Sequence, residues 1–349
     1  MFENLHPGTL TALIGCAGGI GLGLAARLGR FCSMGAIEDA LYQGSTTRAR
    51  QWGIAIGLAI IGVFILIGLD LFDPTRTAYL SLKWSPLASI IGGLMFGYGM
   101  ALAGNCGFGA LARLGGGDLR QFVIVMVMGL SSYITLNGPL AQVRVSLFAP
   151  QPAPSPSGIA HWISSFGLPL VPVGIAIGCV VLIVSLSSTS YLRQRNSILW
   201  GALVGLAIVS GWAGTAWVSH LTFDASPIAT HTFAAPIGDT IFYMMMSSAT
   251  SLNFGVGSIV GVLIGAALGS LIKGHFRWEA CDDPRELKRQ IAGAALMGIG
   301  AVLALGCTIG QGISAVSVLA FSAPVTMISI ILGAALGLRQ LIYGFSMDR

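Results

Sequence analysis

Apolar residues in this chain come in runs of about twenty, the length a helix needs to cross a bilayer. The run IAIGLAIIGVFILIGL at 54–69 is apolar around its whole circumference. A membrane barrel would instead alternate apolar and polar positions in segments of about ten. The pattern predicts an all-α polytopic membrane protein with about nine transmembrane helices, at 8–28, 51–71, 86–104, 121–140, 166–189, 197–218, 253–272, 290–306 and 323–340. Between them lie apolar or glycine-rich pieces too short to cross, at 32–45, 105–118, 226–250 and 307–320, read as short or re-entrant helices. Irregular backbone at membrane depth persists only where protein buries it or where it lines a water-filled cavity, so these pieces point to a polar pathway.

Composition narrows the class. With 54% hydrophobic and 9% charged residues among 349, and a mean hydropathy of +0.83, the chain reads as a single integral membrane domain, 1–349, with no soluble domain attached. Placing the N-terminus outside and the C-terminus in the cytoplasm leaves only Arg76, Lys83 and Arg144, of 18 Lys and Arg, on the outer side, as the positive-inside rule requires. The net charge of +5 is thus a mark of topology and not of nucleic-acid binding. The LIGC run ending at Cys16 resembles a lipoprotein cleavage site. No Lys or Arg precedes it, however, and the apolar stretch continues to Leu28, which predicts a retained first helix. The Pro-rich stretch FAPQPAPSPSGIAHW, 148–162, is expected to be an irregular outer loop between two halves.

Those halves resemble each other. At an offset of about 201, Gly92, Gly97, Gly99, Cys106 and Gly109 meet Gly293, Gly298, Gly300, Cys307 and Gly310. With nine spans the helix before Cys106 runs inward and the one before Cys307 outward, predicting inverted repeats over about 8–140 and 197–340. The symmetry is broken, because GIGLGLAARLGRFC has only a loose partner in GALVGLAIVSGWAG and nothing there matches Cys32.

Six cysteines without a CxxC pair argue against zinc and against a disulfide framework, and no cofactor is expected. Cys32, Cys106 and Cys307 each stand where a long span meets a short segment. Cys16 and Cys179 fall inside spans and read as small buried hydrophobes, and Cys281 sits in a charged loop. Glycine crowds the three junctions: Gly104, Asn105, Gly107 and Gly109 frame Cys106, while Gly306, Thr308, Gly310 and Gln311 frame Cys307. Glycine lets the chain turn and turns amides toward a ligand, and a helix starting there adds its positive dipole end, so the site suits an anion. Cations fit poorly, since no acid sits mid-span. The thiols could carry Cu(I), but the methionine cluster YMMMSS at 243–248 is the only supporting sign and reads as core packing.

The stretches GRFCSMGAIEDAL, ALAGNCGFGALARLGGGDLR and GIGAVLALGCTIGQGISAVSVLAFSAPV, in that order, resemble the YeeE/YedE family of bacterial inner-membrane proteins, specifically its thiosulfate-uptake branch. The resemblance covers nearly the whole chain. It implies thiosulfate import, with Cys32, Cys106 and Cys307 as the functional thiols and a cytoplasmic TusA-like sulfur carrier as partner. Some relatives handle other sulfur or selenium compounds. Thiosulfate carries charge on a soft terminal sulfur, which a weak S–H donor can hold and release. The rival class is a sulfurtransferase or redox protein forming a cysteine persulfide. It needs an activating cation beside a thiol, and every histidine is expected away from the motifs, with Arg30 and Arg113 read as topology signals. A structural or assembly protein would leave the repeat and the thiols unexplained.

Overall fold

The computed structural model describes residues 6–223, 225–279 and 284–344. In chain order the helices are α1 (Pro7–Leu28), α2 (Ser33–Glu38), α3 (Thr47–Gly68), α4 (Ala78–Ser81), α5 (Pro86–Ala103), α6 (Gly107–Gly115), α7 (Arg120–Leu136) and α8 (Pro139–Leu147). There follow α9 (Ile159–Ser164), α10 (Leu170–Leu186), α11 (Thr189–Leu192), α12 (Arg195–Leu221), α13 (Ala234–Met245), α14 (Phe254–Ile272), α15 (Pro284–Leu303) and α16 (Ser322–Tyr343). Between α15 and α16 a further helical segment covers 308–317, π-wound over Gly310–Ala315. Among the described residues there is no sheet, only three isolated bridges.

Each expected span except 121–140 overlaps one long helix, and each of the four short pieces holds a shorter one. By length and composition, six helical stretches are apolar enough to cross a membrane, and the bent pair α7–α8 makes a seventh. α10 is an apolar helix of only 17 residues, and α15 opens with Arg285, Glu286, Lys288 and Arg289 before its apolar part. The expected span 121–140 needs correction. α7 stops at Leu136, and the chain turns by 58° through Asn137 and Gly138 into α8, because Pro139 cannot continue the helix and biases Gly138 to an extended conformation. The Pro-rich loop is pinned as well as irregular, with Pro152 paired to Leu82 and Gly158 to Ala320, and it ends in α9.

Close backbone contact at glycines holds the bundle together. α1 and α14 run parallel: Gly257, Gly261 and Gly265 lie against the carbonyls of Ala12, Cys16 and Ile20, where a Cβ would come within 1.9–2.2 Å of oxygen. α5 lies between α15 and α16. Along its crossing with α15, Gly92 faces the Gly300 carbonyl and Gly300 the Gly92 carbonyl, and Gly99 and Gly293 are related in the same way. Such approach gains dispersion contact that no larger residue permits, the usual packing of helices in lipid, where burial of apolar surface gives no drive. Two sequence expectations fail at the surface. Cys179 is exposed on α10, not buried, since α10 buries only Gly174, Gly178 and Ser185. Met244 and Met245 are exposed at the end of α13 and are not core.

Candidate functional site

The three junction cysteines share one local structure. Two residues before each, the chain passes through the left-handed region, at Arg30 (φ 53°), Gly104 (φ 79°) and Leu305 (φ 57°). This ends the incoming helix. The cysteine then caps the N-terminus of the next one, and its sulfur accepts the amide of the glycine three residues on: Gly35 to Cys32 at 3.5 Å, Gly109 to Cys106 at 3.4 Å, Gly310 to Cys307 at 3.5 Å. A side chain at this position normally satisfies one of the four unpaired helix-start amides through oxygen. Here sulfur serves, and because it acts as acceptor this bond does not use its S–H. The common spacing is Cys-x-x-Gly, legible in the sequence three times over.

Side chains draw the three junctions together. Ser33, next to Cys32, donates from Oγ to Thr308 Oγ1, next to Cys307, at 3.4 Å, and contacts Met100 Sδ at 3.7 Å. Phe31 stacks on Trp52, and Phe108 packs against Phe233 with ring centroids 5.1 Å apart. The Phe233 amide approaches Cys307, and Thr232 Oγ1 lies 3.8 Å from its sulfur. Cys106 stands within electrostatic reach of both Cys32 and Cys307. Cys106 and Cys307 are each 1% exposed.

The other expected site residues fall into two groups. Gly107, Gly109, Gly310 and Thr308 form the helix starts themselves, and Gly104 and Gly306 make the turns before them. Asn105 and Gln311 hold the breaks. Asn105 donates to Gln121 at 2.9 Å with its own Oδ1 left buried and unpartnered, whereas Gln311 donates to the last carbonyls of the α15 turn, Ala304 and Leu305, and accepts from Ser322.

Two cavities adjoin near Cys307. One, about 640 Å³, is lined by His6, Asn253 and Asp239 among others; the second, about 240 Å³, is lined by Tyr79 and by Gly306, the residue before Cys307. Thr230 and Thr232 line both. At the opposite end of α1, about 33 Å away at 1.5 Å per residue, Arg27 lines a separate polar cavity of about 220 Å³. The Lys273 ammonium, just past α14, caps α1 through the carbonyls of Arg27 and Leu28. Burial, then Arg30 and Arg27, hold it below the usual lysine range.

Sequence reasoning missed Ser33, Met100, Tyr79 and Thr232, which carry no motif. It expected every histidine away from the thiols; His231 follows Thr230 and precedes Thr232 in the chain, is fully buried, turns its ring to Ser258 Oγ at 2.6 Å and toward Gly18, and has its carbonyl held by Ser314. Arg48 packs on Gly35 and pairs with Asp39 at 3.3 Å, so a cation does neighbour the Cys32 cap.

Comparison with known proteins gives this geometry a context. The chain is 27% identical over 325 residues to the thiosulfate transporter TsuA of Spirochaeta thermophila, covering 89% of this chain and 93% of that protein. It is 24% identical over 329 residues to the thiosulfate transporter TsuA of Escherichia coli, covering 89% of each. A shorter stretch, 104 residues at 31%, resembles the probable transporter YedE of Escherichia coli and covers 30% of this chain and 24% of that one. The profile of the sulphur transport family matches residues 28–336, which takes in all three capping cysteines. The chain therefore belongs to the sulphur transport (YeeE/YedE) family.

Proposed function

We propose that this protein imports thiosulfate, passing the ion by hydrogen bonds from Cys307 to Cys106 to Cys32. The observation that carries the proposal is the threefold cap: three sulfurs, those of Cys106 and Cys307 buried and that of Cys32 half-buried, accept a backbone amide, a bond that does not use the S–H. Such a donor matches the soft terminal sulfur of thiosulfate, and Ser33 and Thr308 offer hydroxyls to its oxygens. Backbone amides at each helix start offset the loss of hydration. Each contact is weak, which favours release to the next station. The transporter names of the relatives agree with this.

The topology belongs to the same proposal. Nine spans in a bacterial inner membrane, with the N-terminus outside, would put the two apolar cavities outside and the Arg27 end in the cytoplasm, where a TusA-like carrier would collect sulfur. An inverted repeat is supported by the α5–α15 crossing. The 201-residue offset turns the Gly92–Gly300 contact into Gly293–Gly99, its observed counterpart.

Uptake into proteoliposomes tests the reading. Thiosulfate should enter and sulfate should not, and Cys32→Ala, Cys106→Ala and Cys307→Ala should each abolish entry, whereas Cys16→Ala and Cys179→Ala leave it intact. Wild-type uptake in all three capping variants would refute the thiol path.

A further inference from the structure

Arg27, Arg113, Arg120 and Arg277, with His275, Asp118 and Glu279, surround the polar cavity at the far end of α1. This cavity is a built feature. The turn at 116–119 lies along 277–279, with the Leu119 amide donating to the Glu279 carbonyl at 2.9 Å and the Glu279 amide to the Gly117 carbonyl at 3.1 Å. Gly117, at φ 101°, lets the Arg277 carbonyl approach to where a Cβ would be 2.2 Å away. Both acids are already taken, since Arg120 pairs with Asp118 at 3.0 Å and with Glu279 at 3.4 Å. Arg27 donates from Nε to Ser270 at 2.6 Å. Among the described residues, neither the Arg113 nor the Arg277 side chain has a carboxylate or hydrogen-bonding partner. Four guanidiniums thus face two carboxylates, leaving the lining at +2 with His275 neutral.

Position gives this charge a use. Arg113 is in the last turn of α6, the helix that Cys106 begins, and its charge reaches both Cys32 and Arg27. We propose that the cavity is a binding site for a small divalent tetrahedral oxyanion, the last station after Cys32, held by the forks of Arg113 and Arg277. The site rests on the import reading for its place in the path. Its volume of about 220 Å³ equals the liquid share of about seven waters at ~30 Å³ each, room for such an ion with part of its hydration shell. Guanidinium forks bind oxygen pairs and are indifferent to a terminal sulfur. This station therefore accepts sulfate as readily as thiosulfate, unlike the thiols.

That difference separates the two proposals experimentally. Radiolabelled sulfate binding is measured on the full chain in phosphatidylcholine nanodiscs at low ionic strength. Arg277→Gln and Arg113→Gln should each weaken binding at least tenfold, Arg277→Lys less so, and added chloride should weaken it for the wild type. Cys32→Ala should leave it unchanged. Arg113 and Arg277 are both exposed, and if Arg113→Gln fails to fold, Arg277→Gln decides alone. Wild-type sulfate affinity in Arg277→Gln, or no sulfate binding to the wild type, would overturn the site. Loss of sulfate binding when phosphatidylglycerol enters the nanodisc would assign the cavity to a lipid headgroup and overturn it as a station for free ion. A failure of thiosulfate uptake would instead strike the import reading and leave sulfate binding as measured.

Discussion

At Cys32, Cys106 and Cys307 one sulfur is both a helix cap and a candidate donor to the guest, and the two roles predict different responses to substitution. Serine can still cap, through a shorter oxygen, and can still donate, so Ser variants should retain part of the uptake that Ala variants lose. A persulfide mechanism predicts equal loss, with a sulfur adduct on one of these residues seen by mass spectrometry after incubation with thiosulfate. Leu305 gives a second residue-scale expectation. Its left-handed backbone costs a non-glycine residue roughly 1–2 kcal/mol, while glycine brings an unfolded-state penalty of about 0.4–1 kcal/mol. Leu305→Gly should hence leave the thermal midpoint unchanged or slightly raised, and a clear fall would show that the Leu305 side chain contributes more than its strain. The cysteines themselves were legible in the sequence, because glycines crowd them and an offset of 201 aligns two of them. Ser33 and Thr232 were not. They reach the site through contacts across 275 and 75 residues of chain, which no local pattern encodes.

Helices were the most legible level. Among the described residues, runs of apolar residues located the long helices to within about six residues, although only six stretches, or seven with the bent pair, are long and apolar enough to cross a membrane. The bend after Leu136 was written in Asn-Gly-Pro and was overridden by the apolar run on either side. Less legible was why so many glycines recur. At the α5–α15 crossing a Cβ on Gly99 would sit 2.5 Å from the Gly293 carbonyl, a backbone atom that cannot swing aside. Gly99→Ala should therefore destabilise by about 1–3 kcal/mol, the usual cost of overpacking, and lower the yield of monodisperse protein in detergent. Gly104→Ala has open space around it and meets only its φ of 79°. It should cost about 1–2 kcal/mol as backbone strain, with any loss of uptake following from displacement of Cys106. Unchanged stability and yield in Gly99→Ala would show that the helix crossing is looser than its contacts imply.

For the molecule as a whole, the proposed orientation rests on charge asymmetry, and labelling checks it. A cysteine introduced at Ser155, in the Pro-rich loop, should react with an impermeant maleimide applied to intact cells, and labelling only after permeabilisation would reverse the proposed topology. Cys281, expected on the opposite side, lies outside the described residues. The α5–α15 crossing has a mechanical consequence. Two reciprocal backbone contacts, at Gly92 with Gly300 and at Gly99 with Gly293, leave no lubricating side chain between the helices, so this pair behaves as a strut and not as a hinge. If thiosulfate passes as proposed, a bundle braced in this way would admit it by small local rearrangements, in the manner of a filter. Throughput would then be set by how tightly each thiol grips the passing ion, and the two braced helices would stay still beside it.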